Sequence, residues 1–406
     1  MPKNILFCAD GTWNGPSQQT GVSAFDDADA HGEVARSEVT NVVKLFSNLR
    51  GQVTPETLKL PNEQEKVARD VHGDMVQVAK YMHGVGDSSN QAVRALGGTF
   101  GLGVVARIVR GYTFISRYYT PGDTIHLIGF SRGAYTARAL AGMIAQVGVL
   151  NAAVYDPANK VQAYCYGMAA WAKSKGISLR GTGTLTTLAN HVLGVIEGLF
   201  ASPLPANALV PEVKIKCIGV WDTVGSMGIP TYVGDTRYDM FRFTDTTLHP
   251  KVELGFHAMA IDELRRDFPV TRWDPRDGIE QVWFVGAHAD VGGGYPVGES
   301  GLSDTALSWM MHKLSERAQI LFASPLVATP SPQTVGQTPH TPWSRWPFDA
   351  LPMTPRHVLP TDVLHVSVVD KWRQEATYRP QSISALQATD LTGITTDATL
   401  FSASQR

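Results

Sequence analysis

The chain has 406 residues, of which 43% are apolar, 18% charged and 9% aromatic, a globular composition that excludes disorder, collagen and coiled coil. Its 35 basic and 37 acidic residues leave a formal net charge of −2, which argues against a protein whose main task is to hold nucleic-acid phosphates. Cys8, Cys165 and Cys217 are far apart and suggest neither a disulfide framework nor a structural zinc site.

The first apolar run, Ile5-Leu6-Phe7-Cys8-Ala9, closes on Asp10-Gly11-Thr12, the pattern of a buried parallel strand ended by a turn. This opening has too short an apolar run, and no small-residue cleavage site, for a Sec leader. Residues 14–37 are rich in Gly, Ser and Asp and read as a long surface loop. Its acids Asp26, Asp27 and Asp29 lack the spacing of a calcium loop. Residues 42–49 read as a helix, and 75–82 as a strand ending in Gly84-Val85-Gly86. Residues 92–119 combine helical spacing with glycines that permit close backbone approach, and no Gly-Lys-Ser or Gly-Lys-Thr follows to make a P-loop.

Residues 124–130 are a clear strand and 132–147 a clear helix. Further strands are expected at 214–221 and 281–287, with helical spacing at 250–266 and 303–320. Strands alternating with helices predict an α/β fold, a mostly parallel sheet flanked by helices, in one domain over residues 1–406. Residues 153–211 interrupt that rhythm without a strand. Leu185, Leu188, Val192, Val195, Ile196 and Leu199 there share one helical face, so the segment reads as a helical insertion, either a lid or a permanently packed helix. Residues 325–360 hold much of the proline and read as an extended loop wrapping the core. No stretch reaches the roughly 18 apolar residues of a spanning helix, so a soluble protein without a transmembrane segment is expected.

Gly129-Phe130-Ser131-Arg132-Gly133 fits G-x-S-x-G between a strand and a helix, the context in which that motif presents a nucleophile. A serine hydroxyl needs a base, and the base an orienting group. Asp222 and His288 follow in the order acid then base, each at the expected end of a strand. Asp290, two residues from His288, competes as the orienting acid. His365 competes as the base, whereas His257 lies in a helical pattern and reads as a packing residue. The tetrahedral intermediate needs backbone donors: the Arg132 amide, and Gly11 or Thr12 from the first loop. A second reading uses Asp10, Asp222, His288 and Asp290 as an oxygen-rich site for magnesium or calcium. A third keeps the fold as a silent interaction module.

Six motifs occur in order: Asp10-Gly11-Thr12-Trp13-Asn14, Thr40-Asn41-Val42, Gly84-Val85-Gly86, Gly129 to Tyr135, Trp221-Asp222-Thr223-Val224-Gly225, and His288-Ala289-Asp290-Val291-Gly292-Gly293-Gly294-Tyr295. Together they resemble the uncharacterised α/β-hydrolase domain family that includes the first class of type VI secretion lipase effectors. The likeness runs to about Tyr295, and more weakly to His365-Val366-Ser367-Val368. It implies an α/β-hydrolase-like fold and cofactor-free hydrolysis of acyl esters, in many members of phospholipids, with Ser131 as nucleophile, Asp222 as acid and His288 as base. It also implies peripheral contact with membrane lipid. Passage from the cytoplasm through a type VI machine would need no signal peptide, and a secretion adaptor or spike and an immunity protein would then be partners. The compact insertion at 153–211 departs from the larger members.

Overall fold

The computed structural model describes residues 2–11, 39–60, 63–84, 98–176, 204–224, 232–233, 236–237, 246–266, 268–344, 352–384, 391 and 393–402. In chain order the strands are β1 (Asn4–Ala9), β2 (Gln52–Val53), β3 (Glu63–Arg69), β4 (Met75–Met82), β5 (Thr124–Phe130), β6 (Val149–Leu150), β7 (Leu209–Val210), β8 (Ile215–Trp221), β9 (Tyr232–Val233), β10 (Thr236–Arg237), β11 (Val252–Ala260), β12 (Ile279–Phe284), β13 (Val363–His365) and β14 (Thr396–Asp397). The α-helices are α1 (Asn41–Asn48), α2 (Gly98–Tyr118), α3 (Arg132–Val147), α4 (Lys160–Ser174), α5 (His288–Gly292), α6 (Gly301–Glu316), α7 (Val366–Gln374) and α8 (Gln381–Ser384).

Ten strands form one sheet in the order β14-β13-β12-β11-β8-β5-β1-β4-β3-β2. All its pairings are parallel except β2 with β3 and β3 with β4. The mostly parallel α/β architecture flanked by helices is therefore the one expected. Alternation within β1 explains why the run Ile5 to Ala9 is apolar throughout. Ile5 and Phe7 enter the core cluster under α2 and α3, whereas Leu6 and Cys8 enter the opposite cluster under α1 and α6. Both faces are covered, so each side chain of the strand leaves water. Trp221, Trp283 and Trp309 are among the largest fully buried side chains, each contributing about 1.5–3 kcal/mol by its burial.

Three expectations are corrected. Residues 250–266 are not helical: Val252–Ala260 is β11, between β8 and β12. A strand buried on both faces reads as a continuous apolar run, which periodicity cannot separate from a buried helix. His257 accordingly lies in a strand, where its Nε2 accepts the Thr223 amide at 3.1 Å. The segment 153–211 does contain a strand, since Leu209–Val210 pairs antiparallel with Val149–Leu150. Its helix α4 is described, whereas the apolar face at 185–200 and the calcium-loop candidates Asp26, Asp27 and Asp29 lie outside the described residues. Thirdly, His288 does not end a strand; β12 stops at Phe284 and His288 opens α5. Among the described residues, no helix is long and apolar enough to cross a membrane.

Candidate active site

The carboxyl edge of the sheet collects the motifs. Register places Phe130 of β5 beside Trp221 of β8, so Ser131 and Asp222 leave neighbouring strands at the same level. The Ser131 amide donates to the Trp221 carbonyl at 3.1 Å, which locks the two strand ends together. Ser131 has φ 56° and ψ −121°, a left-handed backbone that L residues avoid at a cost of about 1–3 kcal/mol. The flanking glycines allow this turn by close approach: a Cβ on Gly129 would meet Gly133 backbone at 2.5 Å, and one on Gly133 would meet the Ala9 carbonyl oxygen at 2.0 Å. The motif thus packs helix α3 directly onto the end of β1. Asp222 also has positive φ, 38°, at the corresponding turn after β8.

His288 reaches this edge from α5. Its Nδ1 lies 2.6 Å from Oδ2 of Asp222, and both residues are buried. The ring is held between aromatic neighbours: its centroid is 4.6 Å from that of Phe130 and 5.2 Å from that of Phe268. The His288 backbone N–H donates to Oε2 of Glu263 at 3.1 Å. Asp222 accepts the Ala260 amide at 2.9 Å through Oδ1, and Arg356 donates to both of its carboxylate oxygens. Burial alone would raise the Asp222 carboxyl, but Arg356 and His288 outweigh it and hold it well below the carboxylate range. Asp222 is therefore ionised and can only accept, so Nδ1 of His288 carries the proton between them. Burial pushes the His288 imidazole below its ordinary value, against the opposing pull of Asp222.

Asp290 does not orient His288. Its Oδ2 accepts the amides of Ala287 and His340, each at 2.9 Å, and its Oδ1 lies 2.6 Å from Nδ1 of His340. His365 is separated from β5 by three strands. It is buried, stacked on Phe284 at 4.7 Å between centroids, with Nδ1 2.8 Å from the Ser367 hydroxyl. Burial pushes its imidazole down to about 4.

Asp10 is a structural hub. Its Oδ2 accepts hydroxyls from Thr40 and Tyr81, each at 2.8 Å, and its Oδ1 accepts the Gly11 amide at 2.7 Å. Burial raises its carboxyl to about 6. The Gly11 N–H thus donates to the side chain of its own neighbour, Asp10. Thr12 lies outside the described residues. Arg132 follows Ser131 and opens α3. The metal reading is not met either. The oxygens of Asp10, Asp222 and Asp290 are directed to separate partners, and among the described residues no three His, Cys, Asp or Glu side chains converge to hold an ion.

The second motif serves the site at one remove. The Thr40 hydroxyl accepts the Val43 amide at 3.3 Å, capping α1. The Asn41 amide donates to the carbonyls of Val291 at 2.9 Å and Ser303 at 2.8 Å, which ties α5, and with it His288, to α1 and α6. Sequence reasoning missed Arg356, Glu263 and Phe268. Arg356 lay in a proline-rich stretch that offered no chemical signal.

The ten-stranded sheet thus brings a serine turn, an aspartate and a histidine together at its carboxyl edge. The sequence matches, over residues 3–313, the family described as T6SS phospholipase effector Tle1-like, catalytic domain, and the chain belongs to that family. An uncharacterised protein of Saccharomyces cerevisiae is 25% identical over 296 residues, 69% of this chain and 34% of that protein. The chain thus spans about a third of that relative's length. Among solved structures, a Tle1 effector bound to the VgrG spike of the type 6 secretion system aligns with 18% identity, TM-score 0.36, over 73% of this chain and 51% of the other. An uncharacterised protein from Pseudomonas aeruginosa aligns with 18% identity, TM-score 0.38, over 78% and 46%.

Proposed function

We propose that the protein is a serine hydrolase that cleaves acyl esters of phospholipids. The observation that carries this reading is the 2.6 Å bond from His288 Nδ1 to an ionised Asp222, beside the strained turn that holds Ser131. With Nδ1 taken, Nε2 is the nitrogen that accepts the Ser131 proton as Oγ attacks the ester carbonyl. Asp222 fixes the ring and stabilises the imidazolium that forms. The Arg132 amide donates to the oxyanion, with Gly11 or Thr12 as the second donor. His288 then protonates the leaving alcohol, and a water deprotonated by His288 releases the acyl group from Ser131.

Membership of a phospholipase effector family supports a lipid ester over a small soluble one. It also supports export through a type VI machine, with a spike or adaptor as carrier and an immunity protein in the producing cell. The test is labelling by a fluorophosphonate, located by mass spectrometry, followed by hydrolysis of phosphatidylcholine and phosphatidylethanolamine vesicles. The reading requires the adduct on Ser131 and its loss in Ser131→Ala. An unlabelled wild-type protein whose hydrolysis EDTA abolishes would sink it.

A further inference from the structure

Asp222 receives more than the imidazole. Arg356 comes from the proline-rich segment, enters the core at the sheet edge and donates to Oδ1 at 2.5 Å through Nη1 and to Oδ2 at 2.9 Å through Nη2. The same nitrogens donate to the carbonyls of Ala260 at 2.7 Å and Phe268 at 2.8 Å. Two backbone acceptors therefore aim the guanidinium before it meets the carboxylate. Arg356 is 7% exposed and Asp222 fully buried, so this is a desolvated bidentate pair and not a surface contact.

A plain structural reading makes Arg356 an anchor for the segment that carries it. Such an anchor is poorly explained by a buried ion pair, because an apolar side chain of similar volume often serves stability as well or better. The choice of this carboxylate as its partner has a chemical reason. An unshared buried carboxylate 2.6 Å from an imidazole favours the imidazolium, and a protonated histidine cannot accept a proton from serine. Resting on the reading of Ser131, Asp222 and His288 given above, we infer that Arg356 is a positioning residue: it fixes the Asp222 rotamer that faces His288 and shares its charge, keeping the imidazole neutral between turnovers.

Among the other charged groups around His288, Arg265 also disfavours the imidazolium, but it acts on the ring directly and not through Asp222. Glu263 accepts the His288 amide, but its carboxylate is already paired with Arg265 at 2.8 Å. Asp290, on the same helix, is turned to His340. Asp262 accepts the Gly286 amide at 2.7 Å and the Tyr378 hydroxyl at 3.0 Å. Arg356 is the group that places a positive charge on Asp222 itself.

The experiment measures the second-order rate of fluorophosphonate labelling, and kcat/KM for 4-nitrophenyl butyrate, from pH 4.5 to 9 in wild type, Arg356→Gln and Arg356→Lys. Gln removes the charge, so Asp222 acts undivided on the imidazole. The acid limb should then move to higher pH by about one unit, with a loss of several-fold at pH 6 that approaches about tenfold at lower pH. Lys keeps a charge but grips one oxygen, so the midpoint should stay near that of wild type while kcat falls several-fold and KM holds. A reduced rate in Arg356→Gln with an unmoved midpoint would show a merely structural residue and overturn the inference. If thermal melting shows that Arg356→Gln does not fold, Arg356→Lys decides: a wild-type kcat in it overturns the positioning role. Failure of wild type to label at Ser131 would instead remove the triad reading beneath it.

Discussion

Two histidines each place Nδ1 2.6 Å from an aspartate oxygen, His288 on Asp222 and His340 on Asp290, and in other respects they are opposites. His288 is buried between two aromatic rings, and its carboxylate is shared with a buried arginine. His340 is part-exposed, stacked on Tyr295, and its second nitrogen lies 2.9 Å from a glutamate, Glu299. Burial lowers the first imidazole, while the Asp290 contact raises the second. If His288 is the base as proposed, a carboxylate–histidine bond is insufficient to make one. The counter-charge on the carboxylate, and the use made of the other nitrogen, decide whether the ring stays neutral and available or becomes a fixed cation.

The largest expected effects break that comparison at the rings and at the proposed nucleophile, Ser131. Ser131→Ala and His288→Ala should each reduce kcat/KM for a phospholipid vesicle by roughly 10⁴-fold or more, with thermal melting close to wild type. His340→Gln should leave kcat/KM within about threefold, because a cation held by two carboxylates accepts no proton in the reaction. Steady-state kinetics on the three variants decides it. Equal losses in His288→Ala and His340→Gln would contradict the division of roles.

Exchanging the carboxylates sharpens it. Asp222→Asn should cost about 10⁴-fold in kcat, since the amide cannot hold the Nδ1–H tautomer. It also leaves Arg356 buried without its charge partner, a loss of about 3–5 kcal/mol seen in chemical denaturation. Asp290→Asn should reverse the balance, with kcat within about threefold and stability lower by about 1–3 kcal/mol from the broken contacts to Ala287 and His340.

The turn at Ser131 was legible in the sequence because its pattern is local. Gly129, Ser131 and Gly133 lie in five residues whose flanking strand and helix have different periods. Asp222 was legible for a related reason, as a polar residue closing an apolar strand. Arg356 was not, because its meaning lies in a contact 134 residues away across a segment without periodicity. Strand β11 was misread for the opposite cause: its sequence is strongly apolar, but burial on both faces erases the alternation that marks a strand. The bond from the Gly11 N–H to its own neighbour, Asp10, was not legible either. The sequence showed that acid as a turn former but not the direction in which its carboxylate folds back.

The smallest effect is a pair of opposed pH dependences in stability. His340 is raised in the folded protein by Asp290 and Glu299, so it contributes stability fully present below about 6.5, the unfolded value, and lost as pH rises through the raised folded value. Its partial exposure keeps this near or below about 1 kcal/mol. His288 is lowered, so the folded state binds fewer protons there than the unfolded chain. Its contribution is present above about 6.5 and is lost as pH falls through the lowered folded value. Thermal melting across pH 5 to 8.5 separates the two by variant. His340→Gln should lose stability chiefly at the acidic end, where the fixed cation contributes most, and converge on wild type at pH 8.5. His288→Gln should gain relative to wild type at pH 5, because a neutral amide spares the cost of keeping a buried imidazole unprotonated. A fall for His288→Gln that is larger at pH 5 than at pH 8.5 would mean that His288 is held as a cation, like His340, and that the contrast between the two rings is wrong.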